Sequence, residues 1–157
     1  MADPRSPRAT AQAVLGIVGG YPTPLAIPAT GPTVVDGAVG VVTAGTHRWA
    51  VTFTKAGSES ALGPFTSFAS AGTVHCSLTA VPLGPTGTTG RNVYKTIAGG
   101  TTDYRLIGAI ADNTTTTFDD NLADATLNAN APAPVSGQPE ADTYQEHGRR
   151  ALTDGGL

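Results

Sequence analysis

The sequence predicts an all-β protein: a single β-sandwich with an extended N-terminal arm and a short C-terminal tail. Between residues 36 and 134, stretches of alternating apolar and polar residues recur, a period typical of half-buried strands. Gly and Pro, 20 and 12 of the 157 residues, separate these stretches as turn residues do. About seven short strands with regular turn signals, and no sustained helical period, indicate a sandwich.

The clearest strand lies at residues 47–54, where Trp49 and Val51 alternate with small or polar residues. This register directs Trp49 into the core. Residues 62–68 lie in a Gly-, Pro- and Ser-rich stretch and predict a crossover between strands. The remaining strands are expected at residues 39–42, 74–78, 91–97, 104–111 and 114–118, the last because of its β-branched threonines.

Residues 1–35 form the predicted arm. Residues 9–35 carry no charge, and the prolines among them interrupt any helix or central strand. Such a segment favours extended geometry and cannot close a core of its own, so its apolar side chains are expected to contact a partner surface. The predicted partner-binding residues are Val14, Leu15, Ile17, Val18, Tyr21, Leu25 and Ile27.

Composition excludes several classes of partner. Nine basic residues against twelve acidic ones give a net charge of -3, which argues against nucleic acid, because such binding needs a concentrated basic face. Residues 9–18 follow two arginines and superficially imitate a signal peptide, but Gly16 interrupts them. They are also far shorter than the roughly 20 residues that span a bilayer, so no membrane partner is expected.

The polar tail, residues 135–157, has the densest charge in the sequence. Glu146 and Arg150 are spaced to pair on a helix, but Gly148 between them weakens it. A short docked helix and a flexible end both remain open.

No residue is predicted to be catalytic or to bind a cofactor, and the protein is not expected to be an enzyme. A Gly-x-Ser-x-Gly elbow is missing, and His47 and His75 fall within strands, where histidines are usually surface or interface residues. Cys76 is in phase with Val74 and Leu78, which predicts a small buried hydrophobe. Four cations on predicted strands are expected to lie on a solvated face: Arg48, Arg91, Lys95 and Arg105.

No metal is expected either. One cysteine and three dispersed histidines lack the paired spacing of a zinc site. Calcium is the most credible alternative, because oxygen ligands crowd around the last predicted strand, near Asp112, Asp119 and Asp120. Turns use the same residue types and no EF-hand spacing is present, so the turn interpretation is preferred.

A set of short runs follows one another in a recognisable order. The runs are GTHRWAVTF at residues 45–53, GSES at 57–60, LTAVP at 78–82, RNVYKT at 91–96, GGTTDYRL at 99–106 and DNTTTTFDDN at 112–121. In this order they resemble the Ig-like or fibronectin-III-like domains of tailed-bacteriophage virion proteins, over about residues 39–132. The run RATAQAVL at residues 8–15 is similar to stretches at the start of some phage structural proteins.

The resemblance implies a non-enzymatic virion structural protein whose partners are other virion proteins and copies of itself in a homo-oligomeric or symmetric assembly. A tail-associated position, in the tail, baseplate or fibre attachment, is favoured over the alternative of capsid decoration. A third hypothesis is a carbohydrate- or cell-surface-binding module with a host-surface glycan as ligand. The inward register of Trp49 counts against a sugar-stacking platform.

Overall fold

Antiparallel pairing joins the strands into two sheets in the computed structural model, which describes residues 24–134. The elements are β1 (Thr33–Val42), β2 (Gly45–Lys55), β3 (Ser58–Glu59), β4 (Thr66–Ser70), β5 (Val74–Thr79), β6 (Gly90–Lys95), β7 (Arg105–Ile110), β8 (Phe118–Asp120) and the helix α1 (Asp124–Leu127). Sheet A has the order β1-β5-β8. Sheet B has the order β3-β2-β6-β7, and β4 also pairs with β2. The described chain is therefore mostly β, with two sheets packed together, as the sequence predicts.

Strand β2 organises sheet B. On one side Trp49 and Val51 pair with Lys95 and Val93 of β6, and on the other Trp49 pairs with Thr66 of β4. The turn from β2 to β3 passes through positive φ angles, at 48° for Ala56 and 82° for Gly57. A glycine at the second position suits this tight turn, because it has no Cβ to clash with the backbone.

The core lies between the two sheets. It combines apolar residues from both of them, including Val34, Val42, Trp49, Val51, Cys76, Leu78, Val81, Val93 and Ile110. Trp49 and Cys76 have no exposed surface, which confirms both predictions. Burial raises the pKa of the Cys76 thiol above its usual value, because an apolar environment disfavours the thiolate.

Strand β1 begins at Thr33, earlier than the expected start at residue 39 and inside the segment predicted as arm. Val34 pairs with Leu78 of β5 and is buried, so this part of the strand contributes to the core. The register shifts between Asp36 and Val39 and again between Val39 and Val42. These bulges break the simple alternation that locates strands in a sequence.

Two further expectations for sheet-forming segments are wrong. The region predicted as a crossover contains β4, whose Phe68 lies opposite His47 of β2. The threonine run predicted as a strand at residues 114–118 is mostly irregular, and β8 starts only at Phe118. Asp112 accepts hydrogen bonds from the backbone nitrogens of Thr114 and Thr115 at 2.8 and 2.7 Å, which holds these residues out of the sheet.

Both ends of the described chain lie against sheet B, one at each of its two edges. Near β4, Pro28 is buried beside Gly63, where a Cβ would lie 2.6 Å from the proline Cβ, and Thr66 Oγ1 donates to the Pro32 carbonyl oxygen. Beyond β7, the Leu106 backbone nitrogen donates to Ala131 at 2.9 Å, so the chain after α1 extends that sheet. Within the described part, no helix is long and apolar enough to cross a membrane.

Candidate functional site

The candidate site is the side of β1 that faces away from β5. Strand β1 is 10 residues long and ends sheet A, and among residues 24–134 no strand pairs with this side. Residues Thr33 to Asp36 keep regular register with β5, and Val35, Val39 and Val41 are exposed by 47, 90 and 55%. We call this unpaired side, with its three valines, the open edge.

The open edge lacks the charges that usually guard an edge strand. Asp36 is the only charged residue of β1, and its carboxylate is engaged by the Ala71 backbone nitrogen at 3.0 Å and the Cys76 thiol at 3.9 Å. Natural sheets block unwanted pairing with lysine, proline or bulges on the edge. Here only the bulges beyond Asp36 serve that purpose, so the backbone of Thr33 to Asp36 can accept another strand.

Polar side chains from β5 and from the residue after β8 accept hydrogen bonds from the backbone of the bulged half of β1. The Val41 backbone nitrogen donates to Asn121 Oδ1 at 2.9 Å, and that of Ala38 donates to His75 Nε2 at 3.3 Å. A Cβ on Gly37 would lie 2.1 Å from the same imidazole nitrogen, so a glycine is needed for this contact. Val39 and Val41 are therefore held in their exposed positions by a defined backbone.

Two of the seven predicted partner-binding residues lie in the described part of the chain. Leu25 is half-buried and Ile27 is 54% exposed, on the segment that packs beside β4. The other five, Val14, Leu15, Ile17, Val18 and Tyr21, lie outside the described residues, as does the predicted tail. The three exposed valines of β1, Val35, Val39 and Val41, were not predicted as a site, although they lie close together in a valine-rich part of the sequence.

Two of the four cations expected on a solvated face are instead buried in the core. Arg91 and Lys95 have no exposed surface, because their register places them on the same face of β6 as Val93. Lys95 Nζ lies 2.8 Å from Asp120 Oδ2 and donates to the Leu122 carbonyl oxygen at 2.7 Å. The sequence placed Lys95 in phase with Val93, which was a signal that Lys95 faces the core. Its counter-charge, Asp120, lies far along the chain and could not be identified.

The Lys95–Asp120 pair links the two sheets, since Lys95 belongs to β6 and Asp120 to β8. Trp49 Nε1 donates to the same carboxylate at 3.0 Å, and the Leu122 backbone nitrogen donates to its other oxygen at 3.0 Å. Both charged side chains are enclosed and have several partners. This arrangement can hold the sheets in register, and it leaves no polar atom of the pair accessible to a ligand.

His47 is also buried, contrary to the expectation of a surface residue. Its ring nitrogens lie 2.9 Å from the Thr96 carbonyl oxygen and 2.8 Å from that of Thr43, and Asp124 lies 3.7 Å away. His47 joins the end of β6, the turn between β1 and β2, and α1. These contacts give it a structural role.

Arg91 reaches the end of the sandwich, where its guanidinium contacts the Pro82 carbonyl oxygen at 3.3 Å and Asp112 Oδ1 at 3.2 Å. Hydrogen bonds from the Thr115 and Thr114 backbone nitrogens lower the pKa of the Asp112 carboxyl well below its usual range. Asp112 therefore organises the turn before β8 and also contacts Arg91.

The three carboxylates considered for calcium have separate tasks. Asp112 holds its threonine turn, Asp119 accepts from Ser77 Oγ at 2.9 Å, and Asp120 faces Lys95 inside the core. Within residues 24–134, no three histidine, cysteine or acidic side chains group together as a metal site would require. A calcium site stays an untested hypothesis, and these contacts explain the three residues without one.

The outer face of sheet B has one further polar cluster. A single oxygen of Glu59 accepts from Thr52 Oγ1 at 2.5 Å, Tyr94 Oη at 2.7 Å and Asn92 Nδ2 at 2.9 Å. Burial, followed by the contact with Glu59, raises the pKa of the Tyr94 phenol. The cluster ties β3 to β2 and β6, which accounts for the glutamate of the GSES run.

Aromatic residues on this sheet are mostly committed to packing. Trp49 is buried, and the Arg48 guanidinium lies 4.4 Å from the centre of the half-exposed Phe65 ring. A shallow depression beside β7 is lined by Leu106, Ile107, Gly108, Asn130 and Ala131, none of which is titratable. Neither feature offers a nucleophile beside a base. Protein-family models and curated proteins give no match to this chain.

Proposed function

We propose that this chain is a non-enzymatic structural protein of a tailed-phage virion, in which an Ig-like sandwich is anchored to neighbouring subunits by the N-terminal segment. The observation that carries the proposal is the open edge. Val35, Val39 and Val41 are exposed on an unguarded edge strand, while the buried charges of the same domain are paired with one another. Such a domain offers an apolar surface for contact with another protein, while its buried charged groups are paired and are not free to act on a substrate.

The order of the strands supports the Ig-like part of the proposal. In Ig domains strands C, F and G form one sheet, with C′ added beside C in the variable type, and B and E are neighbours in the other. The order β4-β2-β6-β7 corresponds to C′-C-F-G, and the pairing of β1 with β5 corresponds to B with E. Strand β8 departs from the pattern, because it follows G in the chain and lies beside E, in the place of strand D.

The composition of the N-terminal segment supports an anchoring role. Residues 9–35 carry no charge, and only Leu25 and Ile27 of the seven predicted contact residues fall in the described part of the chain. In a virion with many copies, modest interfaces on each copy add up through avidity. We favour a tail-associated position, on the resemblance of the sandwich to phage virion domains.

Deletion of residues 1–23 tests this function. The deletion stops short of Pro28 and Pro32, which are buried against the sandwich, so the domain should keep its cooperative unfolding. Incorporation of the shortened chain into particles, measured by quantitative blotting of purified virions, should be lost. Normal incorporation of the folded, shortened chain would contradict the anchoring role.

Electron microscopy of particles tests the position. We expect density for the sandwich at the tail. Density on the icosahedral lattice, with none at the tail, would reject a tail-associated position in favour of capsid decoration.

A further inference from the structure

We propose that the open edge is the receptor for residues 10–18 of a neighbouring copy, which add to sheet A as a further strand beside β1. This inference rests on the proposed function and names the surface that the N-terminal segment contacts. Strand addition uses main-chain hydrogen bonds for affinity, with pockets or apolar contacts for alternate side chains. The receptor consists of the backbone of Thr33 to Asp36 and the exposed valines.

Within residues 24–134, no strand occupies the position beside β1 where an Ig sandwich has one. In Ig domains strand A lies next to B on the side away from E. Strand β1 corresponds to B, and the described chain supplies no strand there. Four consecutive residues, from Thr33 to Asp36, keep regular pairing with β5, so their outward backbone groups form a regular template.

The chain contains one segment suited to this place. Residues 8–21 are free of proline, whereas Pro22, Pro24, Pro28 and Pro32 follow. A strand that joins a sheet needs its backbone nitrogens as donors, which proline cannot provide. Within this stretch, residues 10–18 are uncharged and include the apolar residues Val14, Leu15, Ile17 and Val18, of which three are β-branched. Their apolar side chains match the valines of the open edge.

The path of the chain before β1 favours a neighbouring copy. Residues that precede Thr33 turn to sheet B, where Pro28 packs beside Gly63 and Pro32 contacts Thr66, and do not follow the open edge. The chain before residue 24 thus starts from the other sheet. Only residues 19–23 separate the described chain from residues 10–18, and fully extended they span about 20 Å. The added strand must therefore lie close to the start of the described chain on sheet B, which favours the edge of a copy that adjoins this sheet.

Crosslinking between full-length chains of two sizes tests the inference. One population carries a size tag and Leu15→Cys, and the other carries Val35→Cys, both in a Cys76→Ala background with folding verified by cooperative unfolding. A short bifunctional maleimide should join the tagged chain to the untagged one. The matched control is Leu83→Cys, and its yield should stay at background. Leu83 is 51% exposed, and the neighbouring Gly84 backbone nitrogen donates to Asn113 Oδ1, on the side of β5 away from β1.

Two results would overturn the inference. One is a Val35→Cys yield no higher than that of Leu83→Cys. The other comes from a third chain that carries both Leu15→Cys and Val35→Cys: if it crosslinks within itself while the two single-cysteine populations do not crosslink to each other, the occupant is the chain's own segment. A second variant keeps the test independent of crosslinking chemistry: Val35→Lys should weaken self-association at least about tenfold, measured by analytical ultracentrifugation, while Leu83→Lys should not.

The failure of this inference can be told apart from failure of the proposed function. If particles still require residues 1–23 but Leu15→Cys does not reach Val35→Cys, the segment anchors elsewhere and only the receptor is wrong. If particles incorporate the chain without residues 1–23, the anchoring role itself is wrong.

Discussion

The interior and the open edge of this sandwich differ in a way that reverses the usual distribution of residues. Inside, Lys95 and Asp120 form an enclosed ion pair, and outside, Val35 and Val39 lie uncovered on an edge strand. Buried charges that have partners inside the domain retain little capacity to bind anything else. On the open edge, by contrast, the exposed valines and the backbone of β1 have no partner among residues 24–134, so they remain able to bind another chain. In our proposal the interior has a structural role and the open edge binds the partner.

Replacement of Trp49 by alanine should give the largest loss of stability. The side chain is fully buried and also donates to Asp120, so we expect the free energy of unfolding to fall by about 3–5 kcal/mol. Urea denaturation followed by circular dichroism measures the change. A loss near zero would place Trp49 in solvent and would reopen the glycan-binding hypothesis.

Removal of one partner of the buried ion pair should cost nearly as much. Lys95→Ala leaves Asp120 enclosed without its counter-charge, and such changes cost about 3–5 kcal/mol. The double variant Lys95→Met with Asp120→Asn removes both charges and should recover part of this loss. If Lys95→Ala were as stable as the wild type, the interior charges would not be needed to hold the sheets together.

A pair of neighbouring valines on β1 compares the two regions directly. Val34 faces the core and Val35 faces solvent, at 5 and 47% exposure. Val34→Ala should lower the free energy of unfolding by about 2 kcal/mol. Val35→Ala should change it by less than about 0.5 kcal/mol. Equal losses in thermal or urea unfolding would mean that both valines belong to the core.

Acid titration sharpens the role of Asp112. Its pKa is lowered in the folded protein, so its contribution to stability is fully present above the ordinary value of 3.8 and is lost only as the pH falls through the lowered one. The stability difference between the wild type and Asp112→Asn should therefore be constant above about pH 5 and shrink in acid. Urea unfolding at a series of pH values measures it, and a difference that grew in acid would contradict this sign.

Alkylation of Cys76 tests whether the core stays closed, and it needs no substitution in the protein. Because burial raises the pKa of its thiol, alkylation of the folded protein should be slow and should accelerate only on unfolding. Mass spectrometry after timed iodoacetamide treatment measures the rate. Rapid modification of the folded chain would show that the sheets separate locally at β5.

The sequence was informative where one residue pattern decided the structure. Strand β2 was predicted because Trp49 and Val51 alternate with small and polar residues over a long stretch, and the same logic placed Cys76 in the core. Strand β4 was missed because its residues are mostly small and polar, and it is a strand through its pairing with β2. The threonine run was misread for a local reason: Asp112 accepts hydrogen bonds from the Thr114 and Thr115 backbone nitrogens, and β-branched composition alone does not reveal this.

The burial of charge and the open edge could not be predicted in the same way. Lys95 and Asp120 are 25 positions apart in the sequence, and no local residue pattern predicts that the two sheets bring their charged groups within 2.8 Å. The open edge depends on the order of the strands, since β1 is exposed only because it ends sheet A. Strand order is a property of the assembled fold, whereas alternation is a property of the segment.

The structure of an assembled particle, resolved around β1, tests the central claim most directly. Our account predicts an added strand beside Thr33 to Asp36, formed by residues 10–18 of a neighbouring copy, with Val35 covered. An uncovered β1 in the assembled particle, or a β1 covered by any other segment, would contradict it.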